Sequence, residues 1–389
     1  MFLRRLLSHR GRRSIFRSMQ AYIRRSGRKL HSIHSMRVFY GLRMMLLTHV
    51  PSGFGSVARR REAWLYVDGE RAFFRLDQLL RSARHTIAVH MFIWVDDATG
   101  RQVAGRLVEA ADRGVRVRVT KDTGGDLFEL DHDFYTTRSE RDGIWKRFWT
   151  HPHITVDTAP DRNHAKVFVI DDETLLLGGM NIADVYRYHW HDFLIELRGR
   201  RFVHEYLSGE HSSSRSDHVR LVMNGPHGRD IRTVLTGLLQ SATREIILEQ
   251  AYVSDPEVLS LLAEMSHRGV FVRIILPGKS RIFQNANAVS IASLLETANP
   301  SRIQVFRYPG MLHGKLVLVD RERAFIGSAN LMTSSLDAMG EVNVRLEGRH
   351  TRVMRSIRET VREDLLRSSP VLSPPRLRWL TRILASVGL

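Results

Sequence analysis

The sequence contains no cysteine among its 389 residues, and only six of its 59 basic residues are lysines. The absence of cysteine excludes disulfide bonds and thiolate zinc sites, and it fits a reducing compartment. Long apolar runs are missing as well. Residues 38–47 are too short and too interrupted to cross ~30 Å of hydrocarbon, and the N-terminal apolar stretches are too often broken by arginine for a secretory signal.

Acidic residues are missing from both ends of the chain. Residues 1–61 contain 15 Lys and Arg, residues 367–389 contain four Arg, and neither range contains Asp or Glu. Subtracting these 19 from 59 leaves 40 basic residues against all 41 acids in residues 62–366, although the whole chain carries +18. The basicity therefore lies in the tails, whereas a nucleic-acid enzyme is expected to carry it along its binding groove.

Both tails place apolar residues at helical spacing among their arginines, which predicts basic amphipathic helices lying on an anionic bilayer. We therefore expect peripheral attachment to the cytoplasmic face of the cell membrane. A solvated basic arm is one alternative, and a mitochondrial transit peptide is another for the N-terminus. The apolar positions that carry the prediction are Leu3, Leu6, Leu7, Phe16, Met19 and Ile23, and then Leu377, Leu380, Leu384 and Val387.

Two of the six lysines belong to a duplicated motif. The first copy has a His-x-Lys-x4-Asp spacing, a Gly-Gly-x-Asn turn and a later acid, in the order His164, Lys166, Asp171, Asn181 and Asp192. The second copy repeats these positions at identical spacing as His313, Lys315, Asp320, Asn330 and Glu341. One such match arises by chance in roughly one or two chains in a hundred, so two matches with the same downstream residues indicate a shared chemical role.

In each copy the lysine opens an alternating apolar run, KVFVID or KLVLVD, which predicts a half-buried strand that ends in a turn. Alternate residues of a strand share a face, so the histidine and the lysine of each copy project into the same space. A buried hairpin would explain the apolar run alone. It would not explain the duplicated polar positions, which favour catalysis.

The duplication extends beyond the motif. SARHTIAVHMFIW and a helix ending in AADRGVRVRV precede the first copy, while SATREIILEQAY and a helix ending in SHRGVFVRIIL precede the second. Alternating strands and helices predict two α/β domains, over residues 62–207 and 217–366, joined by the polar segment SGEHSSSRSD. We expect residues 279–302 to form a variable span.

The paired motifs resemble those of the phospholipase D superfamily, and the strings GGMNIADVYRYHWHD and GSANL resemble those of bacterial cardiolipin synthases in particular. The resemblance covers about residues 65–350. It implies two phospholipase-D-like α/β/α sandwiches related by a pseudo-two-fold axis. It also implies that His164 is the nucleophile, forming a phosphohistidine, and that His313 is the general acid and later the base, which the residue pattern alone does not separate.

The same resemblance suggests roles for the remaining motif residues. Asp192 and Glu341 are expected to orient a motif histidine, and phosphate oxygens are expected to bind Lys166, Lys315, Asn181 and Asn330. Asp171 and Asp320 are expected to support the site, by pairing with a lysine or by closing the turn. By position alone a purely structural role fits these two acids equally well.

The implied reaction transfers a phosphatidyl group between two phosphatidylglycerol molecules and releases glycerol. No nucleotide is expected, because the sequence has no glycine-rich phosphate loop. No metal is expected either, since His151 with His153, and His189 with His191, lack an accompanying ligand set. His191 is instead expected to line the headgroup pocket or to be exposed.

A departure from the family pattern leaves the acceptor open. The family commonly shows Asp-x-Arg-Ser after the second Asn, whereas Met332 and Ser334 stand at the Asp and Arg positions here and only Ser335 matches. Another headgroup alcohol or water is therefore an alternative acceptor. Phospholipids and an anionic membrane are the expected partners, without nucleic acid, and the oligomeric state stays open. The competing hypotheses are a hydrolytic phospholipase D, a superfamily nuclease and a non-enzymatic membrane scaffold.

Overall fold

The computed structural model describes residues 62–128, 143–159, 162–209, 218–225, 228–279 and 284–375. The predicted amphipathic helices of residues 1–61 and of the C-terminal tail from residue 376 lie outside these ranges, as does most of the polar segment between the halves. Within the described ranges, no helix combines the length and the apolar character that a bilayer crossing requires.

The first half forms a seven-stranded mixed sheet. In chain order the strands are β1 (Ala63–Val67), β2 (Thr86–Met91), β3 (Arg116–Asp122), β4 (Ile154–Ala159), β5 (Val167–Ile170), β6 (Thr174–Gly178) and β7 (Phe193–Arg198). Their order in the sheet is β1-β7-β6-β5-β2-β3-β4. Strands β2, β3 and β4 run parallel, and the motif strand β5 lies antiparallel to β2.

The second half repeats this arrangement in a nine-stranded sheet. Its strands are β8 (Val219–Gly225), β9 (Gly228–Arg229), β10 (Glu245–Gln250), β11 (Phe271–Pro277), β12 (Ile303–Tyr308), β13 (Lys315–Val319), β14 (Arg323–Gly327), β15 (Glu341–Glu347) and β16 (Ser369–Pro370). Their order in the sheet is β16-β12-β11-β10-β13-β14-β15-β8-β9. The motif strand β13 lies antiparallel to β10, as β5 does to β2.

Nine α-helices of the described residues complete the fold. Those of the first half are α1 (Gly69–Ser82), α2 (Ala98–Asp112), α3 (Gly143–Thr150), α4 (Asp184–Tyr188) and α5 (Arg200–Ser208). Those of the second half are α6 (Ile231–Gln240), α7 (Pro256–His267), α8 (Gln284–Thr297) and α9 (Arg352–Arg367). Helix α8 lies within residues 279–302, the span that the sequence predicts to be variable.

The crossover helices begin and end at matching signals in the two halves. Asp97 and Asp255 cap α2 and α7, each accepting a hydrogen bond from a backbone N–H three residues later, which satisfies a donor that the first helical turn leaves free. Both helices are followed by a glycine with positive φ, Gly114 at 89° and Gly269 at 93°, a conformation that costs glycine little. The predicted helix ends are thereby confirmed.

Three apolar clusters hold these elements together. One packs α1, α2 and α3 on the outer face of the first sheet, and a second packs α6, α7 and α8 on the outer face of the second sheet. The third lies between the sheets, where residues of β5, β6 and β7 meet residues of β13, β14 and β15 beside α5 and α9. The predicted pair of repeated α/β units is confirmed, and their inner faces share one core.

Candidate active site

The two motif loops cross over to the opposite half of the molecule. The backbone N–H of His164 donates to Gly340 O at 2.8 Å, and that of His313 donates to His191 O at 2.7 Å. Gly340 and His191 each immediately precede an acid of the motif. Each motif histidine is therefore fixed next to the carboxylate of the other half.

The side chains complete this crossed pairing. His164 Nδ1 lies 3.0 Å from Glu341 Oε1, and His313 Nδ1 lies 2.7 Å from Asp192 Oδ2. Both carboxylates are fully buried. A carboxylate on Nδ1 fixes the tautomer that leaves the lone pair on Nε2, so Nε2 is the nitrogen of each ring that is available for chemistry.

Each motif lysine lies beside its own histidine, as strand alternation requires. Lys166 and Lys315 are both 1% exposed, and each Nζ donates to the backbone carbonyl of the histidine two residues earlier. Lys315 Nζ also lies 3.2 Å from His313 Nε2. Burial lowers the pKa of Lys166 well below its usual range and that of Lys315 to about 8.

The histidines feel the same two effects. Burial and then the neighbouring lysine lower the pKa of His164, although Glu341 opposes the shift. Burial and Lys315 lower the pKa of His313 well below its usual range. Both imidazoles are therefore neutral at neutral pH.

The two carboxylates differ in their surroundings. Glu341 accepts hydrogen bonds from Ser328 Oγ, at 2.5 Å, and from Ser335 Oγ. Burial pushes its pKa upward, but His164, Lys166 and the Ser328 hydroxyl outweigh burial and hold the pKa below its ordinary value. Asp192 has no such hydroxyl among its described partners, and burial raises its pKa to about 7.

A single position of the repeat explains this difference. Gly179 stands where the second half has Ser328, and a Cβ on Gly179 would come within 2.3 Å of Asp192 Oδ1. The shorter Asp192 therefore requires glycine, whereas the longer Glu341 leaves room for a serine whose hydroxyl holds it. The two halves of the site therefore have matching backbone contacts, but their acids, Asp192 and Glu341, differ in length and in surroundings.

The two motif asparagines flank the centre. Asn181 Oδ1 accepts a hydrogen bond from the backbone N–H of Ile93 at 3.0 Å. This bond fixes the orientation of the Asn181 amide and leaves its NH₂ group on the side away from Ile93. The backbone N–H of Asn330 donates to Ser335 Oγ at 3.0 Å, and the buried Asn330 Oδ1 lacks a partner in the described part of the chain. Their binding of phosphate oxygens stays a prediction.

Asp171 and Asp320 are not brought to this centre. Asp171 lies at the far end of β5 and accepts from the backbone N–H groups of Arg84, His85 and Thr86. Asp320, at the far end of β13, does the same for the backbone of residues 243–245. The suggested pairing with a lysine is therefore wrong, and the observed contacts tie each motif hairpin to the strand beside it.

Three aromatic rings that the sequence analysis did not single out surround the histidines. Phe92 meets the His164 ring edge to face at 4.8 Å. Tyr186 and Trp190 lie 5.2 and 5.3 Å from the His313 ring. Tyr186 and Trp190 lie in the string GGMNIADVYRYHWHD, between Asn181 and Asp192. That position was the sequence signal that could have placed them near the site.

His191 is also placed differently from its prediction. It is buried rather than exposed, and its Nδ1 and Nε2 contact Asp68 at 2.7 Å and Asp364 at 3.0 Å. Tyr308 stacks on its ring at 4.8 Å. Because these partners occupy both ring nitrogens, His191 does not line a headgroup pocket.

Two histidines, each completed by an acid from the opposite repeat, define a phosphotransfer enzyme of the two-motif kind. The sequence matches the family described as "Cardiolipin synthase, PLD-like domain" over residues 76–208 and again over residues 235–365. The chain belongs to this family, and so to the phosphatidyltransferases of the phospholipase D superfamily.

Individual proteins agree with the family match. Cardiolipin synthase 1 of Bacillus anthracis is 27% identical over 363 residues, which cover 81% of this chain and 69% of that protein. Cardiolipin synthase A of Pseudomonas aeruginosa is 30% identical, over 72% of this chain and 62% of that protein. The crystal structure of the phosphatidylserine synthase of Haemophilus influenzae Rd KW20 shares the fold, with a TM-score of 0.68 at 15% identity, over 84% of this chain and 92% of that one.

Proposed function

We propose that this protein transfers a phosphatidyl group from one phosphatidylglycerol to another, through a phosphohistidine, to form cardiolipin and glycerol. The observation that carries the proposal is the crossed pairing of His164 with Glu341 and of His313 with Asp192. It supplies two oriented imidazoles in one buried centre, and family membership supplies the phospholipid class of substrate.

The reaction divides into two displacements. In the first, His164 Nε2 attacks phosphorus, the bond from phosphorus to the glycerol oxygen breaks, and His313 donates its proton to that oxygen. In the second, His313 takes a proton from the hydroxyl of a second phosphatidylglycerol, whose oxygen displaces His164. One phosphodiester replaces another, so the reaction balances without a nucleotide.

The general acid must gain a proton before the first displacement, although burial and the neighbouring lysines keep both imidazoles neutral. The lysine charges that depress the pKa of the histidines are also what a phosphodiester anion would neutralise. Binding of the phosphate between Lys166 and Lys315 is therefore expected to raise the pKa of His313 and load it with a proton. Substrate would thus prime its own acid catalyst.

Glu341 suits the nucleophilic side of this scheme. Its two serine hydroxyls keep it anionic, and a firmly ionised carboxylate on Nδ1 stabilises the positive charge that the His164 ring acquires on bonding to phosphorus. Asp192 has the higher pKa of the two acids. The difference in acids thus favours His164 over His313 as nucleophile.

The first prediction concerns the lipid product of the reaction. Incubation of the protein with phosphatidylglycerol vesicles, without nucleotide or added metal, should yield cardiolipin and free glycerol, separated by thin-layer chromatography. Phosphatidic acid as the sole lipid product would indicate hydrolysis, the alternative that the missing Asp-x-Arg element keeps open. Lipid left unchanged, together with cleavage of single-stranded DNA, would support the nuclease instead.

We further propose that the protein binds the cytoplasmic face of the cell membrane through its basic tails. The support is the charge distribution, since each Lys or Arg near an anionic surface contributes ~1 kcal/mol. The full chain should float with phosphatidylglycerol vesicles at low salt, and removal of residues 1–61 should shift it to the soluble fraction. Flotation of the truncated chain at high salt would place the attachment elsewhere, and phosphatidylcholine vesicles provide the uncharged control.

A further inference from the structure

A second cluster of titratable side chains lies next to the reacting histidines without including them. His191 precedes β7, Glu249 belongs to β10, and Asp364 belongs to α9. All three side chains are buried, and one donor atom of each lies within 4.8 Å of the other two. Three segments far apart in sequence therefore converge on one point between the two sheets.

The distances suit a bound cation. His191 Nε2 lies 3.0 Å from Asp364 Oδ2 and 3.9 Å from Glu249 Oε2. Two ligands bonded at ~2.0–2.2 Å to a tetrahedral metal ion stand about 3.3–3.6 Å apart. An ion at the centre of the three donors would therefore need only small side-chain adjustments.

Glu249 supplies an independent observation. It is 0% exposed, and neither of its carboxylate oxygens has a hydrogen-bond partner in the described part of the chain. A buried carboxylate without a partner is costly, and the described chain gives this one no hydrogen-bond donor. Its Oε2 instead faces the nitrogen of His191.

We propose that His191 Nε2, Glu249 and Asp364 bind one divalent cation of the class that accepts mixed imidazole and carboxylate ligands, such as Zn²⁺ or Mn²⁺. A neutral imidazole and two carboxylates carry a charge of −2, which the ion balances. Asp68 Oδ1, 2.7 Å from Nδ1 of the same ring, holds the tautomer that presents Nε2 to the metal, as carboxylates behind metal-binding histidines do.

The ion would have a structural role next to the reaction. His191 O accepts from the backbone N–H groups of His313 and Gly314, so fixing His191 also fixes the loop that carries one reacting histidine. The metal would further join α9 to β10 across the central core. It would touch no reacting atom of the proposed transfer, and that proposal does not depend on it.

The sequence analysis predicted no metal because the two pairs of neighbouring histidines lack further ligands close by in sequence. The site proposed here uses only one of those four histidines, His191. Its carboxylates come from residues 249 and 364, which no local spacing connects with His191. The competing arrangement is a shared proton, with an imidazolium between Asp68 and Asp364 and a neutral Glu249. That arrangement leaves Glu249 without a partner.

The test measures metal content and thermal stability of the full chain. After chelation and removal of the chelator, Zn²⁺ or Mn²⁺ is added alone. One ion should bind per chain and raise the Tm by about 3 °C when its free concentration is 100-fold above the Kd. Glu249→Gln should abolish both effects. Asp68→Asn, which keeps all three ligands, should weaken binding about 10- to 100-fold and leave the saturated Tm rise in place.

Two outcomes would overturn the site. One is a wild-type chain that binds neither ion and shows no change in Tm. The other is a Glu249→Gln chain that keeps the wild-type stoichiometry and Tm rise. Asp364→Asn serves as the second ligand variant should Glu249→Gln fail to fold. His151→Gln, at a half-buried histidine between α3 and β4, is the control for histidine-bound adventitious metal.

Discussion

His313→Ala should still release nitrophenolate from a phosphatidyl nitrophenyl ester and should accumulate a covalent phosphatidyl adduct. A nitrophenolate departs without a proton, so the general acid is dispensable for the first displacement. His164 keeps its Glu341 partner in this variant and can still attack. The second displacement stops, because no base remains to activate the acceptor hydroxyl.

His164→Ala should release no nitrophenolate and carry no adduct, since the attacking nitrogen is gone. With a glycerol leaving group both variants should lose a factor of ~10² to 10⁴ or more in rate. His151→Ala, which changes a histidine remote from the site, should retain wild-type turnover. Mass spectrometry of the trapped protein decides the assignment: adduct on His313 of the His164→Ala chain would reverse the two roles.

Lys315→Met should inactivate the enzyme and stabilise its fold. Loss of the ammonium beside His313 removes a positive charge that stabilises the negative charge developing on the phosphate oxygens. This loss should lower the rate by a factor of roughly 10² to 10³. Burial lowers the pKa of Lys315 from 10.5 to about 8, which means that the folded protein bears a cost for the charged form. At about 1.4 kcal/mol per pKa unit, methionine should raise the free energy of unfolding by roughly 3 kcal/mol at pH 7.

The sign of this effect depends on pH. Below about pH 8 the folded chain carries the buried ammonium and the full cost is present. Between about pH 8 and 10.5 the folded chain has lost the proton that the unfolded chain still binds, so the cost shrinks, and above that range it vanishes. The advantage of Lys315→Met in urea unfolding should therefore fade as pH rises from 8 to 10. Wild-type kcat/KM should fall above about pH 8.

Lys146→Met is the matched control, because Lys146 is exposed and its replacement should leave both activity and stability near wild type. A Lys315→Met chain that unfolds at lower urea than wild type at pH 7 would contradict the prediction. It would mean that the ammonium contributes more to holding Asp192 and Glu341 than its burial costs.

The sequence predicted the parts of the site that depend on local geometry. Two residues apart on a strand, a histidine and a lysine share a face, so the neighbourhood of His313 and Lys315 followed from spacing alone. The same spacing excludes Asp320 from the site, because the five residues from Lys315 to Asp320 span ~16 Å of strand. The suggested pairing of Asp171 and Asp320 with a lysine overlooked that distance.

What the sequence did not provide was the docking of the halves. Which acid meets which histidine depends on backbone pairing between loops 177 residues apart, from His164 to Glu341. The buried cluster of His191, Glu249 and Asp364 has the same origin. Neither follows from periodicity, because each is created by tertiary contact between elements whose local patterns are complete without it.

The crossed pairing also bears on ancestry. Each catalytic pair consists of the histidine of one repeat and the acid of the other, so neither repeat contains a complete pair by itself. A forebear with a single motif and this same arrangement would have been complete only as two chains together. Because both copies belong to one chain, their acids can differ: Gly179 leaves room for Asp192 while Ser328 binds Glu341, a difference that two identical chains cannot encode.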